Sequence, residues 1–391
     1  MEGSVAQGSA STGTAQPGRH WLDLLPAGLI AGVLVLVAMA AYWLPGSVRY
    51  YNHFVWQAMA FLEGRADIAW PVPGNDFFQD FFPVLDSVGS RTGFGLLPFP
   101  PLPAIVLMPF VAIFGLATDQ RAVSVLLGAV DVGICWWALG RLPIGRPVRL
   151  GTTVFFAFGT VFWYAAELGT TWFLAHVVAV GMALLAIGIA LGGDRGLARD
   201  LEGGGPTADT ESARAETLQL RLGDAALAMV DDIRAGLRNP LALLDRRQFV
   251  AGLFFGLACT ARLTILFGAP FFVFVGSGGS AARRAVSAGL GAAIPIGLLL
   301  AYNLATTGHL FHPGYEYLYR IEAYGYPALG YHPEWSIEDL RYIPQNLGVM
   351  FASLPSFFPD RMPGAFGPGG PLCVEPDAVR GLFDATCPIA V

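Results

Sequence analysis

Two kinds of side chain stand where apolar packing does not favour them. Arg262 interrupts the apolar run 249–275. A guanidinium among apolar residues is costly unless it has a partner or a task. Its planar fork matches a phosphate, so Arg262 reads as a phosphate ligand or as half of a structural ion pair, for example with Glu167. Glu167, in "WYAAELGTT", sits between two apolar runs. It would orient an acceptor hydroxyl, hold a metal ion, or pair with an Arg. Asp76 and Asp80, in "GNDFFQD", place two carboxylates among Phe residues. They are proton acceptors for a hydroxyl, or a solvated turn beside packed rings. A cation for a phosphate and a base for a hydroxyl are the parts that group transfer needs. Asp131 reads as a polar contact inside a bundle, and the lone His176 as a satisfied core histidine.

Something must hold these groups, and composition says what. Of 391 residues 54% are apolar and 13% are charged, against about 25% charged in a soluble domain; mean hydropathy is +0.54. The chain therefore reads as all-α, a polytopic transmembrane helical bundle. The net charge of -6 and the lack of any basic run exclude a nucleic-acid partner. The sequence holds no Lys, so Arg supplies every fixed cation. Cys135 and Cys259 lie in apolar runs as core residues. Cys373 and Cys387 lie in a polar tail and would pair in an oxidising compartment. No CxxC or His-rich pattern marks a metal site.

A spanning helix needs about 20 apolar residues, and about seven spans fit. They are 24–48, 122–139, 150–166, 171–192, two short helices within 249–275 that turn near Arg262, and 285–305. Residues 1–20 form a disordered tail, and 21–192 form an N-terminal transmembrane bundle. Its long outer loop, 45–96, contains an interfacial helix, because Phe54, Ala58, Phe61 and Leu62 recur at helical spacing. The segment 96–115 holds five prolines and reads as re-entrant or juxtamembrane. A cytoplasmic polar insert with one amphipathic helix, near 215–238, fills 193–248. Residues 249–305 form the C-terminal transmembrane helices. An extracytoplasmic tail, 306–391, follows and looks incomplete. Arg19 and the three Arg of "RLPIGRPVR" place their loops in the cytoplasm.

"PFPPLPAIVLMPFVAIFG", "GTVFWYAAELGTTWFLAH", "GLFFGLACTARLT" and "AYNLATTGHLFHPGY" follow one another behind that outer loop. In order and spacing the chain resembles the GT-C superfamily of integral-membrane glycosyltransferases, nearest its bacterial dolichyl-phosphate-mannose mannosyltransferase-like members, over roughly residues 21–350. The resemblance implies a polyprenyl-phosphate-linked sugar as donor, and a glycan, lipid or protein acceptor. It also implies a cell-membrane location with an extracytoplasmic site. Some relatives use a divalent metal ion, though no ligand set here requires one. The family sets an acidic base just beyond the first helix. Here that position is Asn52, which cannot be a base, followed by His53, which can. His53, Asp76 and Asp80 are thus the candidate catalytic groups. Asn52, Glu167, Arg262 and Arg320 are candidates for holding substrate, Arg320 as a second phosphate ligand or merely solvated. Tyr302, Asn303, His312 and Tyr315 gather where the last span emerges. They line a sugar cavity or form an interfacial aromatic belt. Two other readings of the same residues stand beside this one: a transporter or flippase of a lipid-linked sugar, and a non-catalytic accessory protein.

Overall fold

A computed structural model of the chain describes residues 21–45, 51–69, 81–193, 230, 234, 243–277, 279–314, 339–347, 355–357 and 366–368. The described chain is mostly helical. Helix α1 is Ala27–Trp43, with Ile30, Leu34, Ala38 and Tyr42 buried along one stripe. Its outer face is equally apolar, and Leu29, Val33, Leu36 and Val37 are all more than half exposed. Apolar side chains on both faces suit a helix with protein on one side and lipid on the other. Helices α2 (His53–Leu62) and α3 (Leu102–Phe114) pack together, followed by α4 (Gln120–Leu139), α5 (Arg146–Phe158), α6 (Phe162–Leu168) and α7 (Thr171–Leu191). Beyond the insert come α8 (Arg246–Cys259), the 3-10 turn Leu263–Gly268, α9 (Phe271–Phe274) and α10 (Ala281–Thr307).

Among the described residues three helices, α4, α7 and α10, are long and apolar enough to cross a membrane. A fourth crossing is made if α5 and α6, bent by 50° at their junction, count as one. The bend has a local cause. Gly159 and Thr160 interrupt the helix; the Thr160 hydroxyl donates to Phe156 O at 2.8 Å and accepts from Phe162 N at 3.2 Å, closing one helix and starting the next. Helix α1, with 17 residues, is about 25 Å long, short of a full hydrocarbon core. The break expected near Arg262 is present: α8 stops at Cys259 and the chain turns back through the 3-10 segment. Gln248 closes that hairpin by donating to Phe272 O (2.7 Å) and Val275 O (3.1 Å).

The bundle has two chemically different ends. At one, Arg146 donates to Leu22 O and Leu25 O, Arg149 to Trp136 O, and Arg247 to Ile189 O. Arg141, Arg246, Arg283 and Arg284 belong to the same end. The other end carries α2. There α3 starts with Leu102 N bonded to Thr260 O, and the chain re-enters the bundle at Asp119, the N-cap of α4. Both ends of α3 thus meet the same end of the bundle. Its 13 residues, about 20 Å, lie across the bundle and do not pass through it.

The all-α expectation does not hold in the outer loop. Strands β1 (Ile68–Ala69), β2 (Phe82–Leu85) and β3 (Arg91–Leu96) form an antiparallel sheet in the order β1-β3-β2. Pro and Gly discourage helix here, while Phe, Val, Leu and Thr favour strands. The β2–β3 turn is held by Asp86 Oδ1, which accepts from Val88 N and Ser90 N, and Gly89 supplies the positive φ of 82°. The expected interfacial helix is α2, but six of its ten residues are buried, so it is packed into the bundle end and not laid flat on it. Two short strands, β4 (Pro355–Phe357) and β5 (Phe366–Pro368), pair in the tail, after a short helix α11 (Tyr342–Leu347). Of the amphipathic helix expected near 215–238, only Val230 and Arg234 are described, and both are helical.

Candidate functional site

Several expected site residues meet at the capped end. His53 begins α2 and is 1% exposed. Its Nδ1 lies 2.8 Å from Thr171 Oγ1, and the Thr171 hydroxyl reaches Tyr51 O at 2.5 Å. The hydroxyl has one proton and gives it to that carbonyl, so His53 Nδ1 carries the hydrogen of its pair and Nε2 is the basic nitrogen. Buried this deeply, His53 positions the N-termini of α2 and α7; it meets a substrate only if the cap moves. Asn52, beside it, is half-buried and occupies the N-cap of α2 without capping it. Gln57, one turn along the same face, donates to Tyr302 OH at 3.4 Å. Helix α2 therefore ties α7 to α10.

Glu167 pairs with Arg121, not with Arg262. Arg121 Nη2 lies 3.8 Å from Glu167 Oε1, and the same guanidinium donates to Glu167 O, Tyr42 O and Trp43 O. Arg262 donates from Nη2 to Trp172 O at 2.9 Å, one residue from the Thr171 that holds His53. Arg262 therefore lies at the same end of the bundle as the start of α2. Its backbone is extended, in the gap where α8 has ended.

Tyr302, Asn303 and His312 are at this end too. Asn303 is buried and donates to Leu310 O at 2.9 Å, which ties it to the chain turn after α10. His312 Nδ1 accepts from Gly314 N at 3.0 Å, and its ring meets Phe82 edge-on. Burial pulls the His312 imidazole down from 6.5 to about 4. The unfolded chain therefore takes up a proton below about pH 6.5 that the folded chain refuses until about pH 4. Stability is fully present above that window and lost as pH falls through it. His312→Phe keeps the ring and removes the proton site. We expect melting temperature to fall between pH 6.5 and 4 less steeply in this variant, the parent losing about 2 kcal/mol more across the window.

Asp76, Asp80, Tyr315, Arg320, Cys373 and Cys387 lie outside the described residues. Cys135 and Cys259 are buried free thiols, as expected. Asp131 is buried, as expected, with its carboxylate against Gly181 of α7. His176 is a correction: it is exposed, not a core residue, and lies within electrostatic reach of Arg262. Among the described residues no three His, Cys, Asp or Glu side chains converge to hold a metal ion.

Beside the cluster lies a cavity of about 600 Å³ between α2–α3 and α8–α10. Leu102, Ile105, Met108, Leu257, Leu298 and Leu299 make its walls apolar. Ile105 and Leu298 are 48% and 68% exposed, so the cavity opens sideways at the lipid-facing surface. Its polar end is Arg65 and Tyr302. Arg65 is held by Glu63 at 2.6 Å and Asp67 at 3.2 Å. Sequence reading did not single out Glu63, Arg65, Asp67, Gln57 or Arg121. The signal for the first three was "EGRAD", alternating charges directly behind an amphipathic helix. Comparison of the chain with known protein families, with characterised proteins and with solved structures finds no match.

Proposed function

We propose that this chain is a membrane glycosyltransferase that moves a sugar from a polyprenyl-phosphate donor to an acceptor at the extracytoplasmic face. The observation that carries this reading is the sideways-opening apolar cavity that ends in Arg65 and Tyr302 beneath a folded cap. An isoprenoid chain enters such a cavity from the bilayer without crossing water, and its anionic head stops at the cations. Arg65, at the polar end of the cavity, serves the phosphate, with Arg262, two residues beyond the cavity-lining Thr260, as the second cation assigned to it. A carboxylate to accept the acceptor's proton comes from the same rim, Glu63 or Asp67, or from Asp76 or Asp80. Glycosyltransferase orientation follows from charge. The end with Arg141, Arg146, Arg149, Arg246, Arg247, Arg283 and Arg284 faces the cytoplasm, which leaves the cap outside. Seven crossings satisfy this orientation, with α1, α8 and the 263–274 return as the short ones in a multi-pass cell-membrane protein.

The test is transfer of radiolabelled sugar from polyprenyl-phosphate donors by the purified chain in nanodiscs. Arg262→Gln is expected to lower transfer by about tenfold to a hundredfold, the loss of one charge-assisted contact, with melting temperature within a few degrees of the parent. If the parent neither transfers sugar nor binds a polyprenyl phosphate, the reading is wrong. The broken α8–α9 hairpin favours a second reading, a flippase for a lipid-linked sugar, because transporters set interrupted helices at their sites. Movement of fluorescent lipid-linked sugar across vesicles without a covalent product would select it.

A further inference from the structure

Tyr51 is the one non-glycine residue with positive φ among the described residues, at 64°. A side chain in that region is strained and persists only where its surroundings over-determine it. Here they do. The Tyr51 carbonyl accepts from Thr171 N at 3.1 Å, from Thr171 Oγ1 at 2.5 Å and from Gln120 Nε2 at 3.4 Å. These bonds fix where the ring goes. It lies parallel to the His53 ring (8°, centroids 5.9 Å apart) and tilted at 56° to Trp172, 4.7 Å away. Trp172 is the residue whose carbonyl accepts from Arg262. Tyr51, Trp172 and Arg262 are half-buried, unlike the core aromatics Phe54 and Trp136.

Packing alone does not ask for this arrangement. A glycine at 51 would take φ 64° without strain, and the three donors would still find its carbonyl. What the tyrosine adds is a ring, set at an angle to the indole of the residue whose carbonyl holds the Arg262 guanidinium. A pyranose carries an apolar C–H face that packs on aromatic rings, and in a glycosyl phosphate its anomeric carbon is bonded through oxygen to an anion. Both halves of that headgroup have a counterpart here. We propose that Tyr51 and Trp172 form the platform for the donor's sugar ring, with Arg262 placed for its phosphate. This rests on the glycosyltransferase reading and adds which residues choose a glycosylated carrier over a bare one.

The experiment measures binding to the full chain in nanodiscs. The probes are bare polyprenyl phosphate and the same lipid carrying mannose, glucose, galactose or arabinose. At least one glycosylated carrier is expected to bind tenfold or more tightly than the bare one. Tyr51→Gly and Trp172→Leu should cut that preference to under threefold, whereas Tyr51→Phe keeps it. Tyr51→Gly should also melt within a few degrees of the parent or above it, because the strain is gone. If Tyr51→Gly does not fold, Trp172→Leu carries the same test. Equal binding of every glycosylated carrier and the bare one would overturn the platform alone. So would a preference that survives both variants. Failure to bind even the bare carrier would remove the glycosyltransferase reading together with the platform.

Discussion

Arg121→Met is expected to cost about 3–5 kcal/mol, the loss typical of a buried ion pair deprived of one partner, and to lower the melting temperature in detergent by several degrees or prevent folding. Arg121 is 8% exposed and serves four acceptors at once: the Glu167 carboxylate and the carbonyls of Glu167, Tyr42 and Trp43. The two carbonyls of α1 are among those that no turn of that helix can satisfy. Its guanidinium also lies over the Trp43 ring, 5.3 Å from the centroid. Methionine fills similar volume, so the loss isolates the polar contacts. Arg121→Lys should recover only part of it, because an ammonium cannot present a planar fork to two elements at once. A double variant, Arg121→Met with Glu167→Gln, should be less damaged than the sum of the single changes, since the stranded charge is then gone. Equal stability of Arg121→Met and the parent would show that the ion pair does not fasten α1 to α4 and α6.

How far these features were readable in the sequence depends on how local their causes are. The long apolar helices α4, α7 and α10 follow from runs of about 20 residues, and the break at Arg262 follows from one charge in such a run. The placement of α3 was also readable, since its prolines argue against a regular span. The sheet was not, because each strand has six residues or fewer and their pairing depends on turns such as Asp86–Ser90. The partner of Glu167 was not readable either. Arg121 lies 46 residues earlier at the start of α4, where an Arg beside Asp119 looks like an ordinary helix terminus. His176 misled for a related reason: an apolar helix in a membrane protein has two apolar faces, so a lone polar residue does not say which face it is on. The cavity draws its walls from α2, α3, α8 and α10, and no local pattern encodes such an assembly.

One local pattern does bear on that cavity. Gly252 and Gly256, four residues apart in α8, face α10 at backbone contact. A Cβ at Gly252 would lie 2.1 Å from Ala288 O, and one at Gly256 would lie 2.6 Å from both Ala292 O and Pro295 Cγ. Gly291 reciprocates from α10, where a Cβ would come within 2.1 Å of Phe249 O. Small residues at this spacing let membrane helices approach closely, and neither backbone can yield without the helices moving apart. Gly252→Val with Gly256→Val is therefore expected to cost about 2–6 kcal/mol, taking 1–3 for each overpacked position. The consequence for binding is more telling. Leu257 of α8 and Thr260, which caps it, face Pro295, Leu298 and Leu299 of α10 across the same cavity, within about one turn of the glycines. Forcing the helices apart widens the slot in which a single isoprenoid chain is proposed to lie. The milder Gly256→Ala should thus weaken binding of bare polyprenyl phosphate by about tenfold, while Gly289→Ala, where a Cβ meets nothing within 4 Å, should leave it unchanged. Binding that is equal in Gly256→Ala and the parent would mean that the carrier does not occupy the cavity between α8 and α10.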